Sequence, residues 1–247
     1  MWCEDEGGPY QTKPYLGSSW QPAGQSGHLS HEYQRNGTVK MMTLFHPASG
    51  AVRIKGVPSC TNAVLHAWLK KELAAILDSQ PTAGPELSPA ENRAIWESWR
   101  EGLTVKATLS DVLPPLRMLL VMDNLKGHHT PEFVRWLFAQ GVLPLYTPLA
   151  GSWLNMAESI QRIIKRRGLE GQHPTSADQI IAWLDATANG WNADPTPFEW
   201  GGKRKVRRQR ARAKRYQLAG SGALSRRPIR HRLSAYQQWR YTYQLTH

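Results

Sequence analysis

The chain is 247 residues long, 40% of them hydrophobic, with 20 glycines and 17 prolines. That is enough apolar mass for one globular domain with an appendage, and it excludes a small stapled scaffold. Two cysteines, Cys3 and Cys60, exclude a disulfide framework or a cysteine-rich zinc site and fit a reducing cytosol. No run approaches the roughly 18 apolar residues of a membrane span, and no signal-peptide core opens the sequence. The formal net charge of +12 sits at one end: residues 201–247 hold 14 Lys or Arg and no acid, while residues 1–200 hold 17 basic and 19 acidic residues.

In chain order, Val39–Phe45 and Ala51–Val57 read as short strands around the turn-rich His46-Pro47-Ala48-Ser49-Gly50, so a hairpin is expected. Thr61 can cap a helix to Leu77, along which Leu65, Trp68, Leu69, Leu73, Ile76 and Leu77 recur at helical spacing. Residues 80–115, with Pro81, Pro85, Pro89, Pro114 and Pro115, read as an insertion that has room for one short helix over 91–101. Arg117–Met122 is an almost unbroken apolar run that stops at Asp123-Asn124, the pattern of a central strand with a polar group at its carboxyl end. Thr130-Pro131-Glu132 opens a helix that closes at Gly141. Val142–Tyr146 predicts the next strand, Ser152 a cap for a helix to Arg167, and Ser176–Ala188 a last helix with Gly190 just beyond it. Strands that alternate with helices feed parallel pairing, while the hairpin supplies antiparallel edges, so the expected fold is mixed α/β with one sheet.

Three carboxylates stand where chemistry could use them: Asp5 near the start, Asp123 at a strand end, and Glu158 inside a helix. Strand ends collect functional side chains because the strand positions them and the loop exposes them. On the helix from Ser152, Met156, Ile160, Ile163 and Ile164 fall on one face and Asn155, Glu158, Arg162 and Lys165 on the other. Such acids are either ordinary surface groups or an oxygen-ligand set for Mg²⁺ or Mn²⁺; two such ions about 3.5–4 Å apart can activate water and stabilise the leaving oxygen of a phosphodiester. The basic tail likewise has two readings, a solvated appendage or a nucleic-acid-binding segment built on Lys203, Arg204, Lys205, Arg207, Arg208, Arg210 and Arg212.

The run Leu120-Val121-Met122-Asp123-Asn124-Leu125-Lys126-Gly127-His128-His129-Thr130 resembles the "DN…H" strand of mariner-type bacterial insertion-sequence transposases. Ser152-Trp153-Leu154-Asn155-Met156-Ala157-Glu158 resembles the start of their third-acid helix, and 34 residues separate Asp123 from Glu158, the spacing of that superfamily. Cys3-Glu4-Asp5-Glu6-Gly7 is similar to the first-acid motif, Trp20-Gln21-Pro22-Ala23-Gly24 to the W-x-P-x-G segment, and 191–200 to the "N…PF-x-W" close. The resemblance implies a DDE catalytic domain over 1–200, on an RNase H-like (retroviral integrase-like) mixed sheet flanked by helices, with 201–247 as a basic C-terminal tail. It implies that Asp5, Asp123 and Glu158 bind two Mg²⁺ (or Mn²⁺) ions and that Asn124, Asn155 and His128 support them. DNA, as transposon ends and target, is the implied partner, with no membrane, and the active form is expected to be a homodimer in the bacterial cytoplasm and nucleoid. Only four residues precede Asp5, so the strand that presents it is expected to be short. A non-catalytic DNA-binding remnant and another RNase H-like nuclease remain alternative readings.

Overall fold

Alternation of apolar and polar residues sets five strands, and their order in the sheet decides where the acids meet. The computed structural model describes residues 1–17, 22–25, 28, 31–80, 87–151, 154–198 and 209; Ser152, the Trp20 motif in part, and the tail residues Lys203, Arg204, Lys205, Arg207, Arg208, Arg210 and Arg212 lie outside them. Residues Met1–Phe198 form one compact unit. Its elements begin with β1 (Trp2–Gln11), β2 (Thr38–Phe45), β3 (Val52–Val57), α1 (Asn62–Asp78) and α2 (Pro89–Ser98). They continue with β4 (Met118–Met122), a 3₁₀ turn at Lys126–His129, α3 (Pro131–Ala139), β5 (Val142–Tyr146), α4 (Ala157–Leu169) and α5 (Ala177–Ala193).

The sheet runs β3-β2-β1-β4-β5. β2 is antiparallel to both its neighbours, whereas β1, β4 and β5 are parallel. This order, with one reversed strand, is the RNase H-like arrangement that the sequence resemblance implies. The strand that carries Asp5 is not short. β1 is ten residues long and central, and it gains its length on the carboxyl side, where it pairs with β2 from Cys3↔Phe45 to Gln11↔Thr38. Its parallel pairing with β4 covers only Trp2↔Leu120 and Cys3↔Val121.

Helices cover both faces. One core joins Trp2, Met42, Leu44 and Leu120 to Leu65, Leu69 and Leu73 of α1 and to Phe133 and Leu137 of α3. The other joins Cys3, Val39, Met41 and Phe45 to Ile160 and Ile164 of α4 and to Ile180 and Leu184 of α5. Because side chains alternate along a strand, Trp2 of β1 faces α1 and α3 while Cys3 faces α4 and α5, and the register shift between Gly7 and Tyr10 brings Tyr10 to the α4 and α5 side as well. The six apolar positions read from the sequence in α1 are its six buried residues. Within 80–115, a capping box between Ser88 and Glu91 and a proline in the first turn start α2 two residues earlier than expected,. Trp96 of α2 is fully buried and packs edge-on against Phe138 at 5.5 Å, so this stretch adds its own small core with Leu109 and Leu143.

Two helix boundaries differ from the sequence reading. α4 starts at Ala157, and Asn155 precedes it, buried at 2% exposure, so Asn155 does not share the exposed face of Glu158. α5 runs through Gly190 to Ala193 because Trp191 is buried and its indole N–H donates to the Gly50 carbonyl at 2.7 Å. Beside it, Asn192 accepts from the Val52 N–H at 2.9 Å and donates to the Val52 carbonyl at 2.7 Å, and the Phe198 N–H reaches the Pro47 carbonyl at 2.8 Å. The closing motif thus clamps the β2–β3 hairpin to α5. Gly141 ends α3 at φ +74°, where a side chain would also meet the Pro115 carbonyl at 2.5 Å,.

Candidate active site

Asp5, Asp123 and Glu158 line one cavity of about 500 Å³. Asp5 comes from the middle of β1, Asp123 from the residue after β4, and Glu158 from the first turn of α4. Around them stand Tyr10, Lys13, Tyr15, Gln161, Arg162 and Lys165. The floor is therefore acidic and the rim cationic. Of the rim residues, Arg162 and Lys165 share the exposed α4 face expected from helical spacing. Lys13 and the two tyrosines lie beyond any motif, and nothing in the sequence pattern marks them.

The two strand-borne acids feel one another. Burial pushes the Asp5 carboxyl up to about 7, and the charges of Glu4, Asp123 and Glu6 add to the shift. Asp123 goes the other way. The His128 imidazole at its side holds it below the usual carboxylate range against the cost of burial, and the Leu125 N–H donates to Oδ1 at 2.9 Å. Glu158 faces the same cavity, but its Oε2 pairs with Arg162 one turn on at 3.1 Å. Asp5 and Asp123 thus form an electrostatic pair, and Glu158 stands opposite them with a cation of its own.

The three supporting residues act in different ways. Asn155 donates from its amide to the Glu4 carbonyl and accepts the Ala157 N–H at 3.2 Å, so it joins the strand of Asp5 to the helix of Glu158 without touching either carboxylate. Asn124 donates to the Thr147 carbonyl at 2.6 Å and ties together the ends of β4 and β5. His128 is the one that reaches an acid: Nδ1 lies 3.0 Å from Asp123 Oδ1 and 3.3 Å from the Asp123 carbonyl oxygen. It is fully buried, not a solvated loop histidine. Its neighbour His129 stacks on Tyr146 at 4.0 Å, while the Tyr146 hydroxyl donates to the His128 carbonyl at 2.9 Å.

Behind β1 lies a group that the sequence reading did not assign. Glu4 is fully buried, with Oε2 3.0 Å from His128 Nε2, and Glu6 Oε1 is 3.5 Å from the same nitrogen. Burial opposes the imidazolium, but the surrounding carboxylates of Glu4, Asp123 and Glu6 overcome it and hold His128 far above its ordinary pKa. Burial likewise raises Glu4, and His128 pulls it part of the way back.

A family model described as DDE superfamily endonuclease matches residues 1–181. The chain belongs to that family. Among solved structures, it is similar to a Mos1 transposase paired-end complex with left transposon end, at 16% identity and TM-score 0.46, over 79% of this chain and 48% of that one. It is also similar to the catalytic core domain of BIV integrase, at 12% identity and TM-score 0.38, over 72% of this chain and 91% of that one. A pre-cleavage Mos1 transpososome matches at 12% identity and TM-score 0.41, over 80% of this chain and 56% of that one. The chain thus spans about half the length of the Mos1 transposase chains. A comparison with curated proteins found no match. Among the described residues, no helix is long and apolar enough to cross a membrane.

The donor chemistry fits the divalent ions that the family implies. Asp5, Asp123 and Glu158 offer carboxylate oxygens alone, the set preferred by hard cations such as Mg²⁺ and Mn²⁺. The upward push on Asp5 comes from burial beside like charges, a cost that a bound cation would reverse.

Proposed function

We propose that this chain is the catalytic domain of a mariner-type insertion-sequence transposase, which cuts DNA at transposon ends and joins the freed 3′-hydroxyl to target DNA. The observation that carries the proposal is the single cavity shared by Asp5, Asp123 and Glu158, rimmed by Lys13, Arg162 and Lys165. Asp5 and Asp123 would hold one divalent ion between them, and Glu158 would complete a second. Bound Mg²⁺ or Mn²⁺ supplies Lewis-acid charge at the scissile phosphate and lowers the pKa of water.

The rest of the work falls to the chain's own residues. His128 and the Leu125 N–H fix the Asp123 carboxylate, and Asn155 fixes α4 against β1, so the acids are positioned before substrate arrives. Lys13, Arg162 and Lys165 offer cations to the phosphates on either side of the cut. In cleavage, a water oxygen bonds to phosphorus and the 3′-oxygen leaves as a hydroxyl. In joining, that hydroxyl attacks a target phosphodiester and displaces the target's own 3′-oxygen. The tail from Lys203 to Arg212 would bind the DNA backbone, two copies of the chain would act on two ends, and the reaction would take place in the cytoplasm on nucleoid DNA.

The test is nicking and strand transfer on DNA carrying the element's ends, with Mn²⁺ or Mg²⁺, in the wild-type chain and in Asp123→Ala. Metal-dependent products in the wild type alone are expected. Equal activity in both proteins overturns the proposal. Cleavage of RNA–DNA hybrids without end joining replaces it with a different RNase H-like nuclease, and salt-sensitive DNA binding indifferent to metal and to the acid variants replaces it with a binding remnant.

A further inference from the structure

Beside the cavity, which Glu6 also lines, β1 carries a second set of ligating atoms. His128 Nε2, Glu4 Oε2 and Glu6 Oε1 lie within 4.8 Å of one another, with Nε2 3.0 Å from the first oxygen and 3.5 Å from the second. None of the three atoms has a hydrogen-bond partner among the described residues, nor has Glu4 Oε1, although all are buried. Glu4 and His128 are each 0% exposed. The His128 ring stands beside Glu4 Oε2 and Glu6 Oε1 and leaves Glu4 Oε1 without a donor among the described residues, and a buried carboxylate oxygen in that state is costly,. At 3.0 Å, the His128–Glu4 contact is close enough for a hydrogen bond but is not aligned as one.

We propose that Glu4, Glu6 and His128 form a binding site for a transition-metal dication, Zn²⁺ by preference, enclosed at Glu4 and reaching the edge of the Asp5 cavity at Glu6. Atoms held about 2.0 Å from a tetrahedral ion lie about 3.3 Å apart, and the two nitrogen–oxygen separations bracket that value. One imidazole with two carboxylates is a donor set for Zn²⁺ or Mn²⁺ and a poor one for Mg²⁺, which takes oxygen and keeps its waters. The tautomer is already set. Nδ1 is engaged by the Asp123 carbonyl and carboxylate, which leaves Nε2 to bind metal, the carboxylate–histidine–metal relay that orients a ligand and raises its basicity. Zn²⁺ takes the place of the Nε2 proton, which leaves to solvent. Two carboxylates and one dication then balance inside the protein, and Glu6, at 12% side-chain exposure, is the side from which an ion enters. Because Asp123 is the outer partner of His128, an ion here would also steady the strand end that faces the cavity.

The inference does not depend on the transposase reading. Zinc binding in a chain that never cuts DNA would leave it standing, and cutting without zinc at Glu4 would remove it alone. The experiment titrates the metal-stripped full chain with Zn²⁺ by calorimetry and equilibrium dialysis, in wild type, Glu4→Gln, Glu6→Gln and Glu158→Gln. A zinc site that persists in Glu158→Gln is expected in wild type, weakened about tenfold or more in Glu6→Gln and lost in Glu4→Gln. Anomalous scattering at the zinc edge should put the ion among Glu4, Glu6 and His128. Should Glu4→Gln fail to fold, the partly exposed Glu6 carries the test. Unchanged zinc affinity in Glu6→Gln, or an ion found between Asp5 and Asp123 only, overturns the proposal.

Discussion

Glu4, Asp5 and Glu6 are consecutive acids in one strand, yet they live in two different electrostatic worlds. Asp5 faces the cavity, where burial and like charges push it up and its carboxylate accepts the N–H of Glu6 at 2.9 Å. Glu4 is enclosed, with His128 3.0 Å away, and Glu6 stands on the other side of the same imidazole and reaches the cavity's edge. The pleat alone makes this difference, since successive side chains leave the strand on opposite faces. Asp5 is left short of positive charge at the cavity, whereas Glu4 has the His128 ring beside it and is enclosed.

Asp5→Asn should break the contrast most visibly. Nicking is expected to fall about a thousandfold, some 4 kcal/mol of barrier, while the metal-free melting temperature at pH 8 rises because an unfavourable charge is gone. Loss of both activity and stability would make Asp5 a structural residue and erase the distinction between the faces. His128→Ala tests the closed side. It leaves Glu4 enclosed without its cation, at an expected cost of about 3–5 kcal/mol in urea unfolding; a loss under about 1 kcal/mol would mean that the face is held by packing and not by charge.

The pH profile of the metal-free chain compares the faces in a single curve. Asp5 titrates near 7 when folded and at about 3.9 when unfolded, so the folded state holds a proton that the unfolded chain has released between those values. Its contribution is present below about pH 4 and is lost as pH rises through about 7. His128, raised above its ordinary value, has the same sign: its contribution is present below about pH 6.5 and is lost on the alkaline side. Asp123, held low, has the opposite sign, and its contribution disappears only as pH falls below about 3.9. Thermal stability should therefore decline steadily from pH 5 to pH 8, and a flat or rising curve would contradict the assigned charges. The smallest effect belongs to Arg162→Ala. Its pair with Glu158 is one helical turn apart, and the Arg162 side chain is 80% exposed, so stability should stay within about 0.5 kcal/mol of wild type while DNA affinity at low salt drops.

The parts of the molecule that could be read from the sequence are those in which an element buries one clean face. α1 shows its buried side at helical spacing, and β4 shows itself as an apolar run ended by Asp123. β1 could not be read in that way, because Glu4 is buried, and Glu6 half-buried, against a histidine that arrives from a 3₁₀ turn more than a hundred residues later. Hydrophobic periodicity carries no information about such a partner. The same holds for the end of α5, where Gly190 reads as a stop and only the Trp191 bond to Gly50 explains the extra turn. At the site, the motif resemblance singled out Asp5, Asp123 and Glu158, and the three line one cavity. It could not show that Asn155 and Asn124 would hold backbone while His128 alone would reach a carboxylate. The run of three acids across both faces of a strand was the one available signal for the closed side.

The pairing of Asn192 with both backbone groups of Val52 has a consequence for how copies of the chain can meet. Val52 opens β3, one of the two outer strands of the sheet, where an incoming strand from another molecule would take its first rung. A side-chain amide already occupies that rung as donor and acceptor at once, so the sheet is terminated by its own chain at this corner. Self-association by continuous sheet growth is obstructed there from the start.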